Sequence, residues 1–335
     1  MKELQWSLQY FATQTTQSPG LSDEMRTFYE KRLIDLAEPR LIHAQFADKY
    51  HIPKHGGKQI EFRKYSPLGK AVTPLVEGVT LEGNSLTVSA VTATLNQYGD
   101  WIGLSDMLEM TAIDNNVVQA TKLLGNQAGR TLDTVLREEL AGGTNVYFAP
   151  KVAGDTVTEV TGRAGLDMTA KLTPDLIFRV AAHLKTMNAD PIDDCFVAII
   201  HPYAAYDLMR NPEWIDVYKY QSAENIYQGE IGKLGGVRFV ETSEAKIWKD
   251  NTCPLDGADR LAVFGTLVVA AHAYGDTELE GGGLQHIVKQ LGYADELNQR
   301  SACGWKAAKV ARRLVEEYMV RIESCSAFSK TADAN

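Results

Sequence analysis

The chain has 335 residues, 44% hydrophobic and 23% charged, which is enough to bury a sizeable core in one elaborate domain or two. Its 43 acidic against 34 basic residues give a net charge of -9, which argues against a protein that grips nucleic acid through a dominant basic face. No stretch approaches the roughly 18 to 20 apolar residues of a spanning helix, and Met1 to Thr16 lacks the basic start and apolar run of a signal peptide, so residence in the cytoplasm where it is made is expected, with no membrane partner.

Reading from the start, Gln14 to Gly20 is polar, and Ser22-Asp23-Glu24 supplies a helix cap with acids in the first turn. Met25, Phe28, Tyr29, Leu33 and Leu36 follow at helical spacing, and the helix stops before Pro39 because the residue ahead of a proline avoids the α conformation. A second amphipathic piece, Leu41 to Lys49, completes an N-terminal segment that must dock elsewhere.

Residues 54 to 103 form a long β-biased arm. After Lys54-His55-Gly56-Gly57-Lys58, the run Gln59 to Tyr65 alternates like a strand, breaks at Ser66-Pro67-Leu68-Gly69, passes Thr73-Pro74 and Gly78, and returns through Leu86 to Leu95. The pattern predicts two antiparallel strands joined by an irregular tip. A lone hairpin is marginal in water, so this one is expected to lie on something else.

Ser105-Asp106 caps a short helix, and Asp114 opens a longer one running from Asn115 to Ala141, about 40 Å at 1.5 Å per residue. Val117, Ala120, Leu124, Ala128, Leu132, Val135 and Leu140 keep to one stripe along it. Gly125 and Gly129 sit inside this spine, each costing roughly 0.5 to 1 kcal/mol relative to alanine. Close packing of a neighbour and a bendable point are the two readings.

Residues 142 to 173 read as a loop with short strands. Thr173-Pro174-Asp175 then starts a helix with Leu176, Val180, Ala181, Leu184 and Met187 on one side, followed by the apolar strand Cys195 to Ile200 and a helix from His201-Pro202 through Met209. With the turn and strand Gly232 to Val240 and the strand Leu261 to Ala271, this gives a mixed α/β unit around a buried sheet. At the C-terminal end Val310, Ala311, Leu314, Val315, Tyr318, Met319 and Ile322 fit a helix, while Tyr318 to Glu323 also alternates; periodicity alone predicts the helix.

Catalytic chemistry is missing from the sequence. It has no GxSxG elbow, Walker loop, HExxH or helix-opening GxGxxG, and no catalytic, cofactor-binding or metal-ligating residue is assigned. Gly229-Glu230-Ile231-Gly232-Lys233-Leu234-Gly235-Gly236 precedes a strand and so lacks the helix dipole that holds an anion. His51 and His55 are separated by Pro53 and lack further nearby ligands, and Asp190, Asp193 and Asp194 flank Pro191 in a solvated turn. Cys195, Cys253, Cys303 and Cys325 are far apart and read as reduced structural thiols. The basic cluster Lys54, His55, Lys58, Arg63, Lys64 and Lys70 suits nucleic acid or the acidic surface of a neighbouring copy, and the overall charge favours the copy.

The order of parts resembles the major capsid protein of tailed bacteriophages, the shell fold shared with encapsulins. Similar stretches are Trp6-Ser7-Leu8-Gln9-Tyr10-Phe11-Ala12, Gly78 to Gly83, Gln97-Tyr98-Gly99-Asp100-Trp101-Ile102, His201-Pro202, Gln290-Leu291-Gly292-Tyr293 and Gly304-Trp305-Lys306-Ala307, spread over nearly the whole chain. The resemblance implies an α+β tailed-phage major capsid fold: N-terminal arm and helix 1–53, extended β-hairpin loop 54–103, peripheral domain with spine helix 104–175, axial domain 176–284, and a β-rich C-terminal return to the peripheral domain 285–335. It implies inter-subunit contacts from the extended loop through Lys58, Phe62, Arg63, Lys64, Tyr65, Lys70, Glu77 and Glu82, and a spine-helix bend at Gly125 and Gly129 during shell expansion. The implied function is structural: hexamers and pentamers closing an icosahedral shell around double-stranded DNA, with scaffold, portal and decoration proteins as further partners, assembled in the host bacterial cytoplasm and residing in the virion. An encapsulin-like compartment and an α/β enzyme with a dimerisation ribbon are the alternatives; closed particles tens of nanometres across exclude the enzyme.

Overall fold

A computed structural model of the chain describes residues 42–74, 77–78, 83–105, 116–154, 156–219, 230–257, 259–289 and 299–335. The N-terminal helix, the motif at Trp6, the cap at Asp106, the loop residue Glu82 and the motif at Gln290 lie outside the described residues. Four strands, β1 (Asp48–Ile52), β2 (Gln59–Tyr65), β3 (Val88–Thr94) and β4 (Asn96–Ser105), precede the long helix α1 (Asn116–Ala141). Short strands β5 (Val146–Phe148), β6 (Lys151–Ala153) and β7 (Thr156–Thr158) lead to α2 (Pro174–Thr186), β8 (Phe196–Ile200), α3 (Pro202–Met209) and α4 (Pro212–Lys219). There follow β9 (Glu230–Leu234), β10 (Val237–Glu241), β11 (Ile247–Trp248), β12 (Leu255–Asp256), β13 (Asp259–Arg260), β14 (Val263–Val269), β15 (Tyr274–Leu279), β16 (Gln285–Lys289), β17 (Arg300–Arg313) and β18 (Met319–Ser324).

Two sheets organise these elements. The first has the order β1-β15-β17-β16 with β4 also on β17, and the second runs β5-β18-β14-β8-β10-β9 with β11 on β14. Helix α1 serves both. Its residues Val117, Leu124, Ala128 and Leu132 pack on Leu104, Cys303, Trp305 and Ala307 of the first sheet, and Leu136 and Leu140 join Val197, Ile199, Leu267 and Val269 of the second. The buried stripe therefore steps from Leu132 to Leu136, and the predicted Val135 is only half-buried. At 3.6 residues per turn each i+4 step carries the stripe about 40° around the helix, so the run Leu124, Ala128, Leu132, Leu136 and Leu140 winds from the first sheet to the second, where an i+3 step to Val135 would turn it back.

Gly125 and Gly129 are buried within α1 and have ordinary negative φ angles. Tucked between them and the second-sheet contacts is Asp133, fully buried; it accepts the His43 amide N–H at 2.9 Å and lies 2.8 Å from His43 Nδ1. The Tyr274 hydroxyl donates to the His43 carbonyl at 2.5 Å.

The axial stretch follows its sequence signals closely. Thr173 caps α2, His201 caps α3, and Gly235 and Gly236, at φ 61° and 85°, make the two-residue turn from β9 to β10 that only glycine adopts cheaply. Met187, expected on the apolar side of α2, is instead the residue past its end and 40% exposed, while Ile177 is buried. The four cysteines are free and buried, and burial pushes the Cys325 thiol up to about 12.

Two expectations are corrected. The helix predicted over Val310 to Ile322 is absent: β17 runs to Arg313 and β18 begins at Met319, as the family resemblance implied. β17 is the central strand of the first sheet, pairing with β4, β15 and β16, and sheet hydrogen bonds override a local period that is ambiguous when both strand faces are covered. Residues 96–103, read as part of the arm, form β4, which pairs with β17 from Asn96↔Lys309 to Ser105↔Arg300.

His201 Nδ1 accepts the Tyr203 N–H at 3.1 Å, and burial pushes its pKa from 6.5 down to about 4. The folded state thus holds the ring neutral while the unfolded chain takes up a proton first. The stability tied to this cap is complete above pH 6.5 and is lost as pH falls from 6.5 through 4, a change on the order of 3 kcal/mol; buried His286 acts in the same direction. The denaturant midpoint of the chain is expected to drop across this window, and His201→Asn, which keeps a capping oxygen, should flatten the larger part of the drop. An unaltered pH slope in that variant assigns the effect elsewhere.

Candidate functional site

The ribbon β2–β3 pairs without a break from Gln59↔Thr94 to Tyr65↔Val88. Alternation divides its side chains into two faces. Ile60, Phe62 and Lys64, with Val91 and Ala93 opposite, are the more buried set and turn toward the body, while Glu61, Arg63 and Tyr65 are exposed. Phe62 meets Tyr50 of β1 edge-on, ring centroids 4.9 Å apart. Tyr50 lies over Gly275 of β15, where an added Cβ would sit 3.0 Å from the ring and would push it back by a few tenths of an ångström. Burial, with the nearby Asp48 charge, raises the Tyr50 hydroxyl pKa. Lys64 Nζ reaches Glu317 at 3.2 Å, and Glu317 is held below the usual carboxylate range by its own backbone amide and by this lysine.

Beyond Tyr65 the ribbon is uncovered. Tyr65 (62% exposed), Leu68 (57%), Val72 (79%), Leu86 (71%) and Val88 (47%) leave an apolar tip in solvent. The residues singled out in the sequence thus divide into two groups. Phe62 and Lys64 engage their own chain, and Arg63 pairs with Glu61 at 2.9 Å. Tyr65, Lys70 and Glu77 are exposed on the free part. Lys58, at the ribbon base, accepts the Leu95 N–H through its carbonyl at 2.9 Å, and its exposed side chain lines a groove with Gln97, Gln285 and Lys306.

A second exposed surface escaped assignment from sequence. On the side of β4, β17 and β16 away from α1, Trp101 is 67% exposed and stands opposite Gly304, beside a cavity of about 640 Å³ floored by Gly99, Ala302 and Gly304. The opposite side of the same strands is core: Trp305 packs beneath and donates its indole N–H to Gln127 at 3.2 Å. Gln127 in turn donates to Asp100 at 2.5 Å, which, with the Trp101 N–H, holds that carboxyl below its usual range. The signal available in sequence was the alternation of glycine with aromatic residues at 98–103 and 303–305, which marks where the sheet stays thin.

Neither metal-like cluster converges. His51 is exposed on β1, His55 sits in a turn at φ 68°, and Asp193 and Asp194 occupy positive-φ turn positions before β8. Among the described residues no group of three potential ligands is gathered.

A protein-family model described as "Phage capsid protein" matches residues 88–293. Among solved structures, the capsid of cyanophage P-SCSP1u is similar at a TM-score of 0.64 and 15% identity, over 86% of this chain and 89% of that one. The capsid of Ralstonia phage GP4 gives 0.63 and 13% over 87% and 89%, and the capsid asymmetric unit of cyanophage Pam1 gives 0.62 and 13% over 98% and 100%. At these identities the structural likeness carries the fold. Comparison with curated proteins gives no significant match.

The seated and free parts of the ribbon should behave differently on truncation. Phe62→Ala removes an aromatic pair and its burial, and amide exchange at Ile60 to Lys64 should accelerate by about tenfold. Tyr65→Ala should leave the same amides unchanged; equal acceleration by both would mean that the ribbon is not seated through Phe62.

Proposed function

The chain belongs to the phage capsid protein family, and from that premise we propose that its copies form pentamers and hexamers that close into an icosahedral head shell around double-stranded DNA. Its role is that of a structural capsid protein of the virion and is not enzymatic. The carrying observation is the half-seated ribbon, anchored at Phe62 and Lys64 while its described residues between Tyr65 and Val88 are uncovered. Burying its five large apolar side chains on a neighbour offers about 5 to 8 kcal/mol of transfer free energy. That is comparable to the lower range of association costs, so one strap alone binds weakly and a closed network of straps is stable.

Within this reading, residues 54–95 are the strap laid on the adjacent subunit, with Tyr65, Lys70 and Glu77 as contacts. Residues 104–175 with 285–335 form the peripheral domain, and residues 176–284 the axial domain near the capsomer centre. Scaffold, portal and decoration proteins are the further partners of such a shell, and assembly takes place in the host bacterial cytoplasm. Gly125 and Gly129 are the point at which α1 bends during expansion.

Negative-stain electron microscopy of the chain, alone and with its genomic neighbours, tests the shell. Polyhedral particles are expected from the wild type, and Leu68→Asp/Val72→Asp should yield folded, unassembled protein; a small oligomer of fixed size under every condition overturns the reading. The Gly125→Ala/Gly129→Ala variant should assemble but expand more slowly, and wild-type expansion would remove the glycines from that role.

A further inference from the structure

The face of the first sheet turned away from α1 has an unusual charge distribution for an acidic chain. Along β4, β16 and β17 the outward positions include Arg300, Lys306 and Lys289, and Lys58 joins them at the ribbon base. All four are exposed, and none forms an ion pair among the described residues. The described outward positions of β4, β16 and β17 carry no carboxylate. Nearby acids are occupied elsewhere: Asp100 is bonded to Gln127 on the opposite side, Glu278 lies 3.5 Å from buried Lys309, and Glu280 takes the Lys54 N–H at 3.4 Å.

Shape reinforces charge. The floor between the cations is Gly99, Gly103, Ala302 and Gly304, and the bulky side chains that stand on it are Trp101 and the half-buried Ile287. From Arg300 to Lys306 the strip runs about 20 Å along β17. Duplex DNA presents one phosphate charge per roughly 1.7 Å of axis, so such a strip faces more phosphates than it has cations.

We propose that this sheet face is the surface that touches the phosphate backbone of double-stranded DNA, and hence that it lines the interior of the shell. The inference rests on the shell reading and adds to it which face looks inward. Contact is sequence-independent, because long cations over a glycine floor offer no fixed donor pattern to base edges. It is also weak per subunit, since four phosphate contacts give only a salt slope of about -3 to -4.

The test is binding of a short mixed-sequence duplex to the full-length chain below its assembly concentration, between about 50 and 200 mM salt. The expected slope is about -3 to -4 for the wild type and smaller by about 2 for Lys289→Gln/Lys306→Gln, with Lys289→Glu/Lys306→Glu abolishing binding. The Gln variant should still form shells by electron microscopy. Wild-type chain that does not bind the duplex, or an unchanged slope in the variant, overturns the proposal. So does a variant that no longer assembles, or a peptide of residues 66–87 displacing the duplex, since either makes the face a contact between subunits. Shell formation by the wild type is scored separately, so loss of the shell reading and loss of the DNA face are told apart.

Discussion

Everything in this chain takes its position from one helix that must serve two cores. Helix α1 has 26 residues, about 39 Å of length, and its first half seals the first sheet while its second half seals the second. At the junction lies Asp133, shut off from solvent, and His43 supplies its hydrogen bonds at 2.8 and 2.9 Å. Removing one partner from such a buried set typically costs about 3 to 5 kcal/mol. The arrangement therefore fixes where the N-terminal segment enters as firmly as it fixes the helix. Further along, buried Arg137 donates to the Glu244 carbonyl at 2.9 Å and Lys246 reaches Glu138 at 2.8 Å, tying the same helix to the loop between β10 and β11. Arg163, bidentate to buried Glu323 at 2.6 and 2.7 Å and stacked over Trp248 at 4.2 Å, fastens the loop that follows α1 back onto β18.

A body this firmly held frees its projecting parts from any duty to stabilise it. The ribbon contributes little to either core, and a surface ion pair such as Lys64–Glu317 is worth at most about 1 kcal/mol. It is therefore held by Phe62 on Tyr50 and little else, firm enough to keep its register yet cheap to lift. The same segment that would be a liability in a monomer, an exposed two-stranded edge with an apolar tip, is what an assembling subunit requires.

How much was readable in advance followed from the range of the interactions involved. Caps and turns are local, and so Thr173, His201 and the Gly235-Gly236 turn appeared where the residues put them. The ribbon register was also legible, because alternation and turn residues suffice to set it. The C-terminal strands were not: Arg300 to Arg313 depends on pairing with segments up to two hundred residues away, and only the family resemblance carried that information. Val135 against Leu136 was missed because the choice depends on a second sheet that the helix period does not know about. Trp101 was noticed only as part of a motif. Nothing in its own neighbourhood tells an outward tryptophan from Trp305, which lies one register step away and faces the core.

The charge of the chain makes sense only when its faces are considered separately. A container for a polyanion gains from a net negative charge, since a wall that bound every phosphate would resist both packing and release. Yet a wall that repelled DNA everywhere would raise the work of filling it. Four cations that form no ion pair among the described residues lie on one sheet face, with Asp100 and the Lys309–Asp276 pair on the other side, and in the proposed reading they separate the two requirements in space. If that face meets DNA as proposed, each contact is weak enough to exchange as the duplex slides. Repeated in every subunit of the proposed shell, such contacts would provide an inner surface of moderate attraction.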